Sequence, residues 1–360
     1  MYIQNDERRA MTREIKYYEA LREAQAQCLE SDRDVVVMGL GVPGPTGVFG
    51  TTKNLVDDYG PDRVFDMPSS ENAMTGMLLG ASSNGMRPIM VHMRVDFAVL
   101  SMEPLVNQAA KWHYMYGGKM RAPLTVRMII GQGWGQGPQH SQALQAWFAH
   151  IPGLKVIMPT TAHDAKGMLI SAVRDDAPVI SIEHRWLYGV SGAVPEEMYE
   201  TPIGKARIMR PGKDVTIVAA SYASLLALRA ADMLADAGID AEVLDLRTIT
   251  PLDRESIVES VRKTGRLVVA DTGTAEFGIS AEIVCAAVEG ASESLKSAPR
   301  RVGLPSVPTP TSPALSELFY PRAINIAEAA AVALGAKVQF TEPETGKWHD
   351  VPDPSFTGPY

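Results

Sequence analysis

Short, continuous apolar runs recur along the chain and alternate with stretches whose apolar residues return at helical spacing. In the first half, the runs at 34–39, 88–93, 124–130, 154–158 and 178–182 predict strands, and 73–85, 97–115 and 162–175 predict helices. Upstream, Tyr17, Leu21, Ala24 and Cys28 fall on one helical face with Thr12 as a capping residue, so 12–30 predicts the first helix. Strands that are apolar on both faces and alternate with helices imply a mostly parallel, doubly wound α/β sheet covered on both sides. Past 188 the chain is richer in Gly, Pro and Glu and loses its period, as a linker does. Beyond it, 214–219, 241–246, 266–271 and 300–304 predict strands, with helices near 222–237, 252–264, 276–289 and 322–334. These give a second, smaller doubly wound α/β sheet. The expected organisation is a first domain over 1–190, a linker over 191–213, a second domain over 214–336, and a Pro-containing extended tail over 337–360.

With 360 residues, 46% of them hydrophobic and 21% charged, the chain has the length and the apolar content for two soluble domains. The formal net charge of -8, with no long run of like charge, disfavours nucleic acid as a partner. No apolar stretch approaches the roughly 20 residues that span a bilayer, and the N-terminus lacks a basic-then-apolar leader, so no membrane partner and a cytoplasmic setting are expected. Cys28 and Cys285 lie far apart inside amphipathic patterns and are read as core or near-core thiols.

Ligands gather at the carboxyl ends of strands in open α/β sheets, which singles out three places. Ser69-Ser70-Glu71-Asn72 leads into a helix, where a serine cap and an acidic first turn are themselves an adequate explanation. Met93, Arg94, Asp96 and Phe97 follow the run 88–93, where core packing and a surface ion pair would also account for them. Gly131-Gln132-Gly133-Trp134-Gly135-Gln136-Gly137 has a glycine at every second position and ends at His140, an acid–base candidate. Its spacing fits neither the Walker pattern nor the dinucleotide fingerprint. The remaining histidines, His150 and His163 among them, show no zinc-ligand spacing, so no metal ligand is assigned to this chain.

Taken in order with Gln139-His140-Ser141-Gln142, Ala146-Trp147-Phe148-Ala149-His150, Pro152-Gly153-Leu154-Lys155-Val156 and Asp245-Leu246-Arg247-Thr248-Ile249, these segments resemble a known family. The chain is similar, from about residue 12 to about 334, to the beta subunits of the thiamine diphosphate-dependent 2-oxo acid dehydrogenases, the pyruvate, branched-chain and acetoin group. The resemblance implies a transketolase pyrimidine-binding domain followed by a transketolase C-terminal-like domain. It also implies an alpha subunit that binds the diphosphate through magnesium with a Gly-Asp-Gly…Asn motif. This chain has no Gly-Asp-Gly, so it is expected to be half of an α2β2 enzyme. By the same resemblance, Glu71 hydrogen-bonds the ring nitrogen N1′ of the cofactor, and Met93 and Phe97 line the pyrimidine. His140 faces the small-molecule substrate, a lipoyl acyltransferase takes the product, and a structural potassium ion sits near 172–178.

The sequence departs from that pattern at four cofactor-side positions. Leu40, in Gly39-Leu40-Gly41-Val42, stands where relatives carry an acidic residue, and Ser69 stands where they carry an aliphatic one. Arg94 and Asp96 replace uncharged residues. A more polar pocket would suit a hydroxylated or anionic substrate. Three functions follow as expectations: oxidative decarboxylation of a 2-oxo acid with acyl transfer to lipoamide, a two-chain transketolase-like or acyloin-forming carboligase, or a non-catalytic partner-stabilising subunit.

Overall fold

The computed structural model describes residues 12–131 and 136–341. Its strands, in chain order, are β1 (Thr12–Lys16), β2 (Val35–Met38), β3 (Val64–Phe65), β4 (Arg87–His92), β5 (Thr125–Ile130), β6 (Lys155–Ile157) and β7 (Val179–His184). They continue with β8 (Ser191–Pro195), β9 (Arg207–Arg210), β10 (Val215–Ala219), β11 (Ala241–Asp245), β12 (Thr248–Thr250), β13 (Leu267–Thr274) and β14 (Arg300–Leu304). The first sheet has the order β12-β6-β7-β5-β4-β2-β3 and the second β14-β13-β10-β11-β9. Every residue of β2, β5, β7, β10 and β11 is buried, as strands sandwiched between helix layers must be. Within each sheet all pairings are parallel except those of the edge strands β12 and β9.

The first predicted helix begins later than its sequence pattern suggested. Residues 12–16 form β1, antiparallel to β8, and the helix runs Tyr17–Ser31 with Glu19 accepting from the Lys16 N–H at 2.8 Å. Thr12 is therefore not its cap. The reason is visible in the side chains: the buried helical stripe of Tyr17, Ala20, Leu21, Ala24 and Cys28 starts only at 17, while 12–16 is almost wholly polar and is held by backbone pairing. The same pairing gives the expected linker a strand at its start, and β9 gives it another near its end. The helix expected over 97–115 is broken into Val95–Ala98, a 3₁₀ turn Val99–Ser101, a π-helical segment Pro104–Ala109 and Ala110–Met115. Pro104 has no N–H to continue the preceding turn. Cys28 is buried, its thiol pushed up to about 12 by burial, but Cys285 is exposed and not the core thiol expected. Of the expected tail, 342–360 lies outside the described residues.

The two halves share a core. β12, from the second half, pairs with β6, the Met158 N–H donates to the Arg247 carbonyl at 2.7 Å, and Leu154, Val156 and Met158 pack in one cluster with Val218, Leu244 and Ile249. Asp245, fully buried near this seam, accepts from Ser224 Oγ at 2.9 Å, while its Oδ2 has no partner among the described residues. Burial pushes its carboxyl up to about 7. The folded chain thus keeps, toward neutrality, a proton that an unfolded aspartate releases near about 3.9. The native state binds more protons across that window, so this group's contribution to stability falls as pH rises from about 4 to 7. Asp245→Asn, which keeps the acceptor without a charge, is expected to raise Tm at pH 8 and leave it unchanged at pH 4. Thermal melts across that range check this, and equal Tm values at pH 8 would refute it.

Candidate active site

Sheet order does most of the positioning. β5, β4, β2 and β3 are consecutive neighbours and parallel, so their carboxyl ends form one row with strands about 4.8 Å apart. Leu40 leaves β2, Ser69 and Glu71 follow β3, Met93 and Phe97 follow β4, and His140 follows β5. Asp66 stitches two of these exits together, its Oδ1 accepting from the backbone N–H groups of Gly41 at 2.9 Å and Met67 at 2.8 Å. Gly41 sits at φ +74°, and a Cβ there would come within 2.8 Å of Met93 Cε, so the β2 exit is closely covered by the side chain leaving β4. Only glycine meets both demands at that position.

Glu71 opens the helix Glu71–Ser83. The capping explanation of Ser-Ser-Glu does not hold, because Ser70 occupies the N-cap with no side-chain hydrogen bond, and Ser69 is exposed. Glu71 itself is 9% exposed, and its carboxylate makes no hydrogen bond or ion pair among the described residues. Its oxygens are not sealed from the surface, so the carboxylate is open to a donor supplied from outside the chain.

Its backbone, by contrast, is firmly held. The Glu71 carbonyl accepts from Thr75 Oγ1 at 2.7 Å and Ser101 Oγ at 3.2 Å, the two hydroxyl oxygens lie 2.9 Å apart, and His92 Nε2 lies 3.5 Å from Ser101 Oγ. Burial pulls the His92 pKa down to about 4, so the ring is neutral at physiological pH. This network joins the helix Glu71–Ser83 to β4 and to the 3₁₀ turn after it. Sequence reading missed all three of its residues, since His92 in a strand and Ser101 and Thr75 in helical runs carry no motif.

On the other side of the row, the half-buried Phe97 meets the His140 ring edge-on at 5.5 Å between centroids. His140 ends the 3₁₀ turn Pro138–His140 and is exposed. Leu40 is 36% exposed at the rim. The structure thus gathers Glu71, Met93, Phe97, His140, Leu40 and Ser69 on one sheet edge. Arg94 behaves otherwise. It is only 4% exposed and turns inward to the Gly131 carbonyl and Gln136 Oε1, so the departure at 94 does not add an exposed charge to the site. Glycine-loop residues 132–135 lie outside the described residues.

Around 172–178, Arg87 Nη1 donates to the carbonyls of Val173 at 3.1 Å and Asp175 at 3.2 Å, in the stretch where potassium was expected. No cluster of three or more metal-ligating side chains occurs among the described residues, and no helix there is long and apolar enough to cross a membrane.

Comparison with known proteins covers most of the chain. Residues 13–190 match the transketolase pyrimidine binding domain and residues 204–326 the transketolase C-terminal domain. The acetoin:2,6-dichlorophenolindophenol oxidoreductase subunit beta of Cupriavidus necator is 43% identical, over 89% of this chain and 97% of its own. The pyruvate dehydrogenase E1 component subunit beta-2, mitochondrial, of Oryza sativa subsp. japonica is 41% identical, over 89% of this chain and 86% of its own. Among solved structures, an inactive beta4 tetramer of a split gene transketolase superposes with a TM-score of 0.72 at 26% identity, covering 90% of this chain and all of that one.

Proposed function

The chain belongs to the transketolase-like family, in the group of 2-oxo acid dehydrogenase E1 beta subunits, and from that membership we propose that it is the beta half of a thiamine diphosphate-dependent enzyme decarboxylating a 2-oxo acid oxidatively. The observation that carries the proposal is Glu71, a residue only 9% exposed whose carboxyl group has no partner among the described residues and whose backbone is set in the row of strand exits by a rigid network.

That site fits the aminopyrimidine end of the cofactor. When bound, thiamine diphosphate supplies a thiazolium carbon that becomes a nucleophile toward the substrate carbonyl. Glu71 holds a proton at ring nitrogen N1′, a bond strengthened by the low polarity around it. Met93 and Phe97 offer a polarizable and a flat apolar surface that exclude water. His140 donates to the substrate oxygen or carboxylate as charge develops there, and Leu40 and Ser69 form the rim. Magnesium and the diphosphate fall to an alpha subunit with a Gly-Asp-Gly…Asn motif in an α2β2 assembly, and the acyl group passes to a lipoyl acyltransferase. A potassium ion at 172–178 is not part of the proposal, because the Arg87 guanidinium already engages two of the carbonyls there. The setting proposed is the cytoplasm, where the two free thiols stay reduced.

Calorimetry tests the division of labour. The isolated chain is expected to bind thiamine diphosphate with magnesium at least ~100-fold more weakly than the two-chain complex, a difference of about 2.7 kcal/mol. Equal affinities would sink the proposal. The likeness to a split transketolase favours one second reading, a two-chain carboligase. Turnover of the complex that persists undiminished without a lipoyl acceptor would select it.

A further inference from the structure

We propose that Arg94 and Asp96 are positioning residues that set the pose of His140 by gripping its loop from the turn that leaves β4. The inference rests on the reading of His140 as a group that acts on substrate. Three residues of the four-residue turn 94–97 reach four places on the same segment. Arg94 donates through Nη1 to the Gly131 carbonyl and through Nη2 to Gln136 Oε1 at 2.5 Å, holding the segment before His140. Asp96 Oδ1 accepts from Gln142 Nε2 at 2.8 Å and Gln142 N at 3.4 Å, holding the segment after it. Phe97 packs edge-on against His140 itself, and Ser141 Oγ closes back onto the Gln136 carbonyl at 3.2 Å.

The arrangement is specific to a guanidinium. Two donors in a fixed fork satisfy a carbonyl and an amide oxygen at once, which an ammonium on a flexible stem does not reproduce. A guanidinium this deeply buried is costly, and it is spent on a loop whose described residues 136–142 belong to no hydrophobic cluster but present His140. Fixing the chain on both sides of His140, at Gly131 and Gln136 before it and Gln142 after it, concentrates the ring in one pose. A 1 Å misplacement of such a group lowers rate far more than affinity.

The test is a double-mutant cycle in the complex with the alpha subunit. Arg94→Gln and, independently, Gln136→Leu, which breaks the same contact without touching the buried charge, are each expected to lower kcat by roughly 10–30-fold with KM within about 3-fold. His140→Ala lowers it by ~10², at the lower end for a lost acid–base group. In the His140→Ala background the first two substitutions should change turnover by less than about 2-fold. Arg94→Lys should recover part of the loss. Effects that multiply fully across the cycle would show that Arg94 acts apart from His140 and overturn the proposal. A second readout needs no turnover: carbethoxylation of His140 by diethyl pyrocarbonate, followed by mass spectrometry, should change several-fold in Arg94→Gln relative to the other histidines. An unchanged labelling rate also overturns it. Absence of cofactor-dependent turnover in the unmutated complex would instead count against the functional reading, with the labelling still deciding what Arg94 does.

Discussion

Glu71→Ala in the reconstituted two-chain complex is expected to cut cofactor-dependent turnover by about 10³–10⁴-fold, the upper part of the range for a lost proton-transfer group, while Tm changes little. The two halves of that expectation come from the same geometry. The Glu71 carboxylate is open to the surface and has no hydrogen-bond or ionic partner among the described residues, so in the free chain it contributes only about 0.3–1 kcal/mol from the helix N-terminus it occupies. Alanine gives that up but gains helix propensity, leaving the backbone bonds of Thr75 and Ser101 to the residue 71 carbonyl in place. A side chain retained for structure would show the opposite pattern, with stability lost first. Glu71→Gln, which keeps a hydrogen-bonding tip that neither takes nor gives up a proton, should fall between alanine and the unmutated enzyme. A loss of less than about 10-fold for Glu71→Ala, with assembly intact, would remove the basis of the proposed function and leave a partner-stabilising role as the better account.

How far such a site is legible before the structure depends on what kind of interaction builds it. The central strands were readable because burial on both faces writes a continuous apolar run: the runs 88–93 and 124–130 became Arg87–His92 and Thr125–Ile130. β1, β8 and β12 were not, because they are held by backbone pairing at the margins and carry polar residues on a short segment. Glu71, Phe97 and His140 came from an order of motifs matching a known family, not from spacing. Arg94 shows the limit in the other direction. Its charge next to the site read as a polar pocket, yet the guanidinium is buried inward onto a loop some forty positions along the chain, a partnership no local pattern encodes.

The largest stability effect expected lies behind the site, where β5 and β7 pair. Arg127 and Glu183 are both fully buried, with Nε–Oε1 at 2.6 Å and Nη2–Oε2 at 2.8 Å; Gln25 Oε1 accepts from Nη1 at 3.0 Å and Tyr188 OH donates to Oε2 at 2.6 Å. Burial alone would lower the Arg127 pKa, but Glu183 beside it holds it above the ordinary value, so the guanidinium remains charged. Arg127→Met leaves Glu183 as a buried carboxylate with only the Tyr188 hydroxyl to face, at an expected cost of about 3–5 kcal/mol. For a unit the size of the first domain that is a fall in Tm of roughly 6–20 °C. Because the desolvation of two charges offsets most of their attraction, adding Glu183→Leu should restore more than half of that loss. Recovery stops short of complete because the Gln25 amide oxygen and the Tyr188 hydroxyl are left without partners. Thermal and denaturant unfolding of the single and double variants measure this directly. A double variant as unstable as Arg127→Met would mean that side-chain shape at 127, and not the unpaired charge at 183, sets the stability of the sheet on which the strand exits are aligned.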